Sequence, residues 1–182
     1  MQACKVVSTD NKQEKMKSIS IRTENLSIIP IAVEHAAFVQ ELVNTEAWLR
    51  FIGERNLHTE AQAKDYIQSK IDDKTCQYWV VYELASDSPI GMITLIQRDY
   101  LPSPDLGFAF LPQYAGKNYA FESSSALLQE LLATGQYSQL LGITNPENSR
   151  SMKLLTRLGF ASTHMMMHDE ESLNVYSIQK NN

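Results

Sequence analysis

Residues 110–132 read FLPQYAGKNYAFESSSALLQELL, an apolar segment that stops at a proline, a short loop with one glycine, and a long helical pattern. The first backbone N–H groups of a helix lack acceptors within it, and the helix dipole places partial positive charge there. With Lys117 adding a full charge, Gly116-Lys117-Asn118 is a place where an anion such as a diphosphate could be held. A nucleotide loop of the form GxxxxGK[ST] is excluded, because Leu111 stands where its first glycine belongs and Asn118 where Ser or Thr belongs. A GxGxxG dinucleotide fingerprint is excluded too, since the loop has one glycine. His164 and His168 are spaced as on a metal-binding helix, but their segment reads as a strand, where four residues span about 13 Å. Those histidines therefore suit no shared metal, and no metal is expected. Met165-Met166-Met167 reads as strand filling rather than a ligand patch.

The elements that position this loop follow from periodicity. Residues 19–31 alternate as strand on both sides of Thr23-Glu24-Asn25, and residues 33–44 carry apolar positions at helical spacing. Thr59 with Gln62 forms a capping box that starts a helix over 59–71. The WLRFIGERN stretch lies between these two helices as a linker. QYWVVYEL (77–84) and IGMITLI (90–96) form a hairpin, and LGFAFL (106–111) is a further strand. A helix over 117–134, a short buried strand at 139–144 and a helix over 146–158 closed by Gly159 come next, then strands at 160–167 and 173–178. Interleaved strands and helices with frequent hairpins predict a mixed α/β sheet.

The chain has 182 residues, 43% of them hydrophobic, enough for one domain with a real core. Residues 1–18 read as a polar tail and 19–182 as the domain. A net charge of −5 offers no footprint for nucleic acid or an anionic membrane. No apolar run approaches the length of a membrane span, and the N-terminus lacks a signal-peptide core. Cys4 and Cys76 form no CxxC or metal spacing, so a reducing cytoplasm is the expected setting.

Gln113-Tyr114-Ala115-Gly116-Lys117-Asn118 resembles the Q/R-x-x-G-x-G/A loop of the GNAT acetyltransferase superfamily, with Asn118 in place of the last Gly or Ala. Asn tolerates the left-handed backbone region better than most residues. The opening NLSIIPI after TEN, the run from Gly91 to Leu128 and the block ITNPENSRSMKLLTRLGF resemble, in order, segments of the RimJ/RimL-like branch. That resemblance spans about residue 19 to the C-terminus. It implies a GNAT fold: a central, mostly antiparallel sheet splayed at the CoA-binding strands and flanked by about four helices.

The resemblance also implies an activity, transfer of acetyl from acetyl-CoA to a primary amine by direct attack in a ternary complex. The amine would be a protein N-terminus or a small molecule. The loop amides of Gly116, Lys117, Asn118, Tyr119 and Ala120, with Gln113, would hold the diphosphate. Main-chain groups at Phe108, Phe110 and Leu111 would pair with the pantetheine arm, and the Phe110 N–H would polarise the thioester carbonyl. Asp105 is the candidate base and Ser151 the group at the CoA sulfur, with Asn148 beside the pantetheine. Many relatives carry a Tyr general acid where this chain has Leu155. Trp48, Phe51, Glu54, Arg55, Arg98, Asp99 and Tyr100 would border the amine. A CoA-binding interaction module with little turnover is the alternative. Monomer and homodimer both remain open.

Overall fold

The computed structural model describes residues 19–180. The expected tail 1–18, with Cys4, lies outside the described residues. Eight strands form one sheet in the order β1-β2-β3-β4-β5-β6-β8-β7. They are β1 (Ile21–Arg22), β2 (Leu26–Pro30), β3 (Cys76–Glu83), β4 (Ser88–Ile96), β5 (Asp105–Phe110), β6 (Gln139–Thr144), β7 (Ala161–His168) and β8 (Glu171–Gln179). Every neighbouring pair is antiparallel except β5 and β6, which run parallel.

Five α-helices accompany the sheet: α1 (Ala36–Val43), α2 (Glu46–Phe51), α3 (Glu60–Asp72), α4 (Tyr119–Ala133) and α5 (Ser149–Arg157). The capping box expected at α3 is present, with Gln62 N–H donating to Thr59 Oγ1 at 3.2 Å and Thr59 N–H donating to Gln62 Oε1 at 2.9 Å. α2 lies in the stretch read as a linker. Thr45 ends α1 and starts α2, its hydroxyl donating back to Leu42 O at 2.8 Å and accepting from Trp48 N–H at 3.4 Å. A helix of six residues offers too few apolar repeats to register as periodicity.

Both faces of the sheet are covered, which is why QYWVVYEL lacks clean alternation. Trp79, Val81, Ile93 and Leu106 pack on one face against Leu127, Leu128 and Leu131 of α4 and Leu155 of α5. Tyr78, Val80 and Met92 pack on the other against Phe38, Val39 and Leu42 of α1 and Ala63 and Ile67 of α3. The Thr-Glu-Asn break is tied to the start of α4: Glu122 accepts from Thr23 Oγ1 at 2.6 Å and from Asn25 N–H at 3.0 Å.

The methionine run fills the strand only in part. Met166 packs beside Leu101, Leu141 and Val175, whereas Met165 and Met167 are 64% and 66% exposed. They alternate outward because β7 is an edge strand with an uncovered face.

Candidate active site

The single parallel pairing is also the weakest. β5 and β6 meet only where Asp105 faces Leu141, with Leu141 N–H donating to Pro104 O at 2.9 Å. Beyond that point the strands part. Leu111 N–H donates to Ile90 O at 2.9 Å, which fixes the alternation along β5. Ladder bonds of an antiparallel pair alternate, so the N–H and C=O groups of Phe108 and Phe110 turn away from β4 and into the gap. Ile143, two residues beyond Leu141, turns its own main chain into the gap from the β6 side. An extended chain could thus bond to both strands. Leu111 is engaged otherwise: its N–H serves Ile90, its carbonyl accepts from Tyr114 N–H at 3.1 Å, and its side chain is core.

The gap opens towards the loop that the sequence singled out. A 3₁₀ turn, Pro112–Tyr114, follows β5, and α4 begins at Tyr119. Gly116 has φ +81° and Asn118 φ +68°, two left-handed residues in three. This conformation turns successive amides to one side, as in an anion-binding nest. From Gly116 to Ala120, no backbone N–H has an acceptor among the described residues. Five consecutive donors at a helix N-terminus fit a diphosphate, and the gap beside them fits an extended arm. Gln113 lies in the turn just before these donors, its side-chain amide 3.4 Å from Glu41 Oε1.

Lys117 lies 3.2 Å from Glu83 Oε1, which also accepts from Tyr119 Oη at 2.8 Å. Hydrogen bonds from Ser86 and Tyr119 hold the Glu83 carboxyl below its ordinary value. Two residues outside the sequence-based set also meet here. Arg157, from the last turn of α5, donates to Asn118 Oδ1 at 2.6 Å, with its Cζ 3.9 Å from the centre of the Phe121 ring. Its position two residues before Gly159 was the only signal in the sequence, and that signal says helix end, not ligand.

On the other side of the gap, Asn148 caps α5, its Oδ1 accepting from Ser151 N–H at 3.1 Å. The Ser151 hydroxyl is half-buried and has no partner among the described residues. Leu155 is 1% exposed and rests on Gly142, where a Cβ would stand 2.5 Å from Leu155 Cδ2. A methyl-bearing side chain there supplies no acid. Asp105 is 2% exposed and sits where the strands join, its Oδ1 accepting from Arg98 Nε at 2.7 Å. Burial pushes its carboxyl above the ordinary value, and Arg98 opposes the rise.

The residues expected near the amine are divided. Trp48 closes the core, donating from Nε1 to Gly53 O at 3.0 Å. Arg55 folds back onto the Gly53 and Glu54 carbonyls. Tyr100 stacks on His168 with ring centres 3.6 Å apart, beside the Arg98–Asp105 pair. Arg50 of α2 reaches Glu147 in the loop before α5 at 3.0 Å, a link between two elements that the sequence did not connect.

The family model for the acetyltransferase (GNAT) domain matches residues 25–161. The chain belongs to the GNAT acetyltransferase family. An uncharacterized N-acetyltransferase of Bacillus subtilis (strain 168), YnaD, is 24% identical over 76% of this chain and 81% of its own. The ribosomal-protein-S5-alanine acetyltransferase of Vibrio fischeri superposes with TM-score 0.77 at 16% identity, covering 91% of this chain and 98% of that one. RimL, a ribosomal L7/L12 alpha-N-protein acetyltransferase solved with coenzyme A, gives TM-score 0.75 at 13% identity, covering 88% and 98%. The structural neighbours of this GNAT protein thus include ribosomal-protein acetyltransferases, and they share its open sheet. GNAT membership makes the chain an acetyl-CoA-dependent acetyltransferase. Among the described residues, no helix is long and apolar enough to cross a membrane.

Proposed function

We propose that the protein transfers acetyl from acetyl-CoA to a protein N-terminal amine by direct attack in a ternary complex, in the cytoplasm. The observation that carries this reading is the row of five N–H groups, Gly116 to Ala120, that have no partner among the described residues, at the open end of the β5–β6 gap. They would hold the diphosphate, while Phe108 and Phe110 would bond the pantetheine arm through their main chains. The Phe110 N–H would also meet negative charge growing on the carbonyl oxygen, where a placed donor is worth most. In the reaction the amine nitrogen bonds to the carbonyl carbon, the C–S bond breaks and the sulfur takes a proton. Ser151 would donate its hydroxyl to that sulfur. Asp105 would take the proton leaving the amine, through water because it is buried. Two of the structural neighbours are named for N-terminal acetylation of ribosomal protein L7/L12, which supports a protein amine over a small one.

Thermal unfolding with acetyl-CoA, beside ATP and NAD, tests the cosubstrate. At one hundred times its dissociation constant, the ligand stabilises by about 2.7 kcal/mol. At roughly 2–4 °C per kcal/mol, the midpoint should rise by about 5–11 °C, with no rise for ATP or NAD. Thiol release with peptides bearing free N-termini, beside polyamines, amino acids and aminoglycosides, then tests the acceptor. Turnover confined to small amines would replace the protein acceptor. Silence with every amine, despite tight acetyl-CoA binding, would favour a binding module.

Ser151→Ala is expected to lower kcat by about ten-fold while leaving acetyl-CoA affinity nearly unchanged, the loss of one hydrogen bond to a charged sulfur. A drop in unfolding midpoint with kcat intact would assign the residue to helix stability instead.

A further inference from the structure

We propose that Arg157, not Lys117, is the cation that binds the diphosphate of the cosubstrate, an assignment that rests on the Gly116 loop being the CoA site. Two cations border the five free N–H groups, and their surroundings differ. Lys117 faces a carboxylate that is kept ionised by its other donors: Glu83 accepts from Lys117 at 3.2 Å, from Tyr119 at 2.8 Å and from Ser86 at 2.7 Å. The charge of Lys117 is therefore balanced within the protein, and moving it to a ligand would break an existing pair.

Arg157 has neutral partners only. Its Nη1 donates to Asn118 Oδ1 at 2.6 Å and its plane rests over Phe121 at 3.9 Å. Among the described residues it makes no ion pair. A guanidinium carries five N–H donors in a fixed fork suited to phosphate oxygens, and one bond to Asn118 leaves most of that fork available. Its charge sits against Asn118, whose own N–H is the third of the five free donors. The ring of Phe121 and the amide of Asn118 hold the guanidinium in place beforehand, which lowers the ordering cost on binding. Asn118 thereby acquires a purpose. Asn accepts φ +68° and adds an oxygen that a glycine lacks, and this oxygen tethers Arg157 beside the loop.

Calorimetric titration of acetyl-CoA, CoA and 3′-dephospho-CoA into the full chain tests the assignment, with R157A, R157K, K117A, N118A and N118A/R157A as variants. R157A is expected to weaken acetyl-CoA binding by about ten- to a hundred-fold, the range for a lost bond to a charged group, and K117A by less than about three-fold. The R157A loss should be the same for CoA and 3′-dephospho-CoA and should persist in the N118A background. R157K should recover only part of it. The slope of log affinity against log salt should fall in R157A, a change that a merely structural arginine would not produce. If the loss vanishes with 3′-dephospho-CoA, Arg157 meets the 3′-phosphate instead and the assignment fails. It fails as well if N118A alone reproduces the whole loss and the double variant adds nothing, because Arg157 then only positions the loop. Wild-type protein that binds no acetyl-CoA would overturn the reading of the loop itself. Wild-type binding with R157A unaffected would overturn this assignment alone.

Discussion

Gly116→Val is expected to weaken acetyl-CoA binding by about a hundred-fold or more, because at least two bonds from backbone N–H to phosphate are lost, each worth about 1.5–3 kcal/mol. The reason is conformational rather than steric. Gly116 has φ +81°, and a Cβ added there would meet nothing within 4 Å. The valine has room but not the backbone angle, since the left-handed region costs an ordinary residue about 1–2 kcal/mol and a β-branched one more. The loop escapes that cost by rotating, and rotation scatters the row of amides from Gly116 to Ala120. Since the loop is exposed, the midpoint of the ligand-free protein should move little. Gly116→Ala, which can stay in place at smaller cost, should lie between the two. Calorimetry on folded variants reads the result; unchanged affinity in Gly116→Val would remove the loop from the site.

Asp105→Asn is expected to lower kcat by about a hundred-fold or more, within the range for loss of a general base, with acetyl-CoA affinity unchanged. The amide keeps an acceptor for Arg98 Nε, so the fold should hold. Asp105→Ala should lose activity and stability together, because it strands a half-buried guanidinium. The cost is about 1–3 kcal/mol, or several degrees of midpoint. A base must be ionised, so wild-type activity should fall as pH drops through the folded value of this carboxyl, which burial places above its ordinary 3.8. That limb should be absent in the Asn variant. The stability sign is opposite. A carboxyl raised on folding contributes stability that is present below its unfolded value and lost as pH rises through the folded one. Acid inactivation by this residue is therefore separate from acid unfolding. An Asn variant with full kcat and no change in profile would leave Asp105 as the ion-pair partner of Arg98 and nothing more.

Much of the architecture was legible in the linear chain. All eight strands and four of the five helices among the described residues follow from local signals, such as the Thr59–Gln62 box and the apolar runs on β3 and β4. The Gly116 loop was legible for the same reason: a positive-φ glycine next to a helix start is encoded within a few residues. α2 escaped because six residues, fewer than two turns, show no period. The Arg50–Glu147 and Arg157–Asn118 contacts escaped because nothing local distinguishes an arginine that faces water from one that faces a loop 39 residues away.

By itself the chain determined its element order, the family whose loop and helix blocks it carries, and the anion-seeking turn at Gly116. These are short-range properties, decided by backbone sterics, periodicity and unpaired helix amides. The tertiary structure alone decided how the site is charged and opened. It parted β5 from β6 beyond Asp105, turned the main-chain groups of Phe108 and Phe110 into the gap, buried Asp105 against Arg98, paired Lys117 with Glu83 and left Arg157 beside the loop with no ion pair among the described residues. Those outcomes depend on which side chains from distant elements meet, and on how much water is left between them. Charge and its burial are long-range properties that residue order does not show.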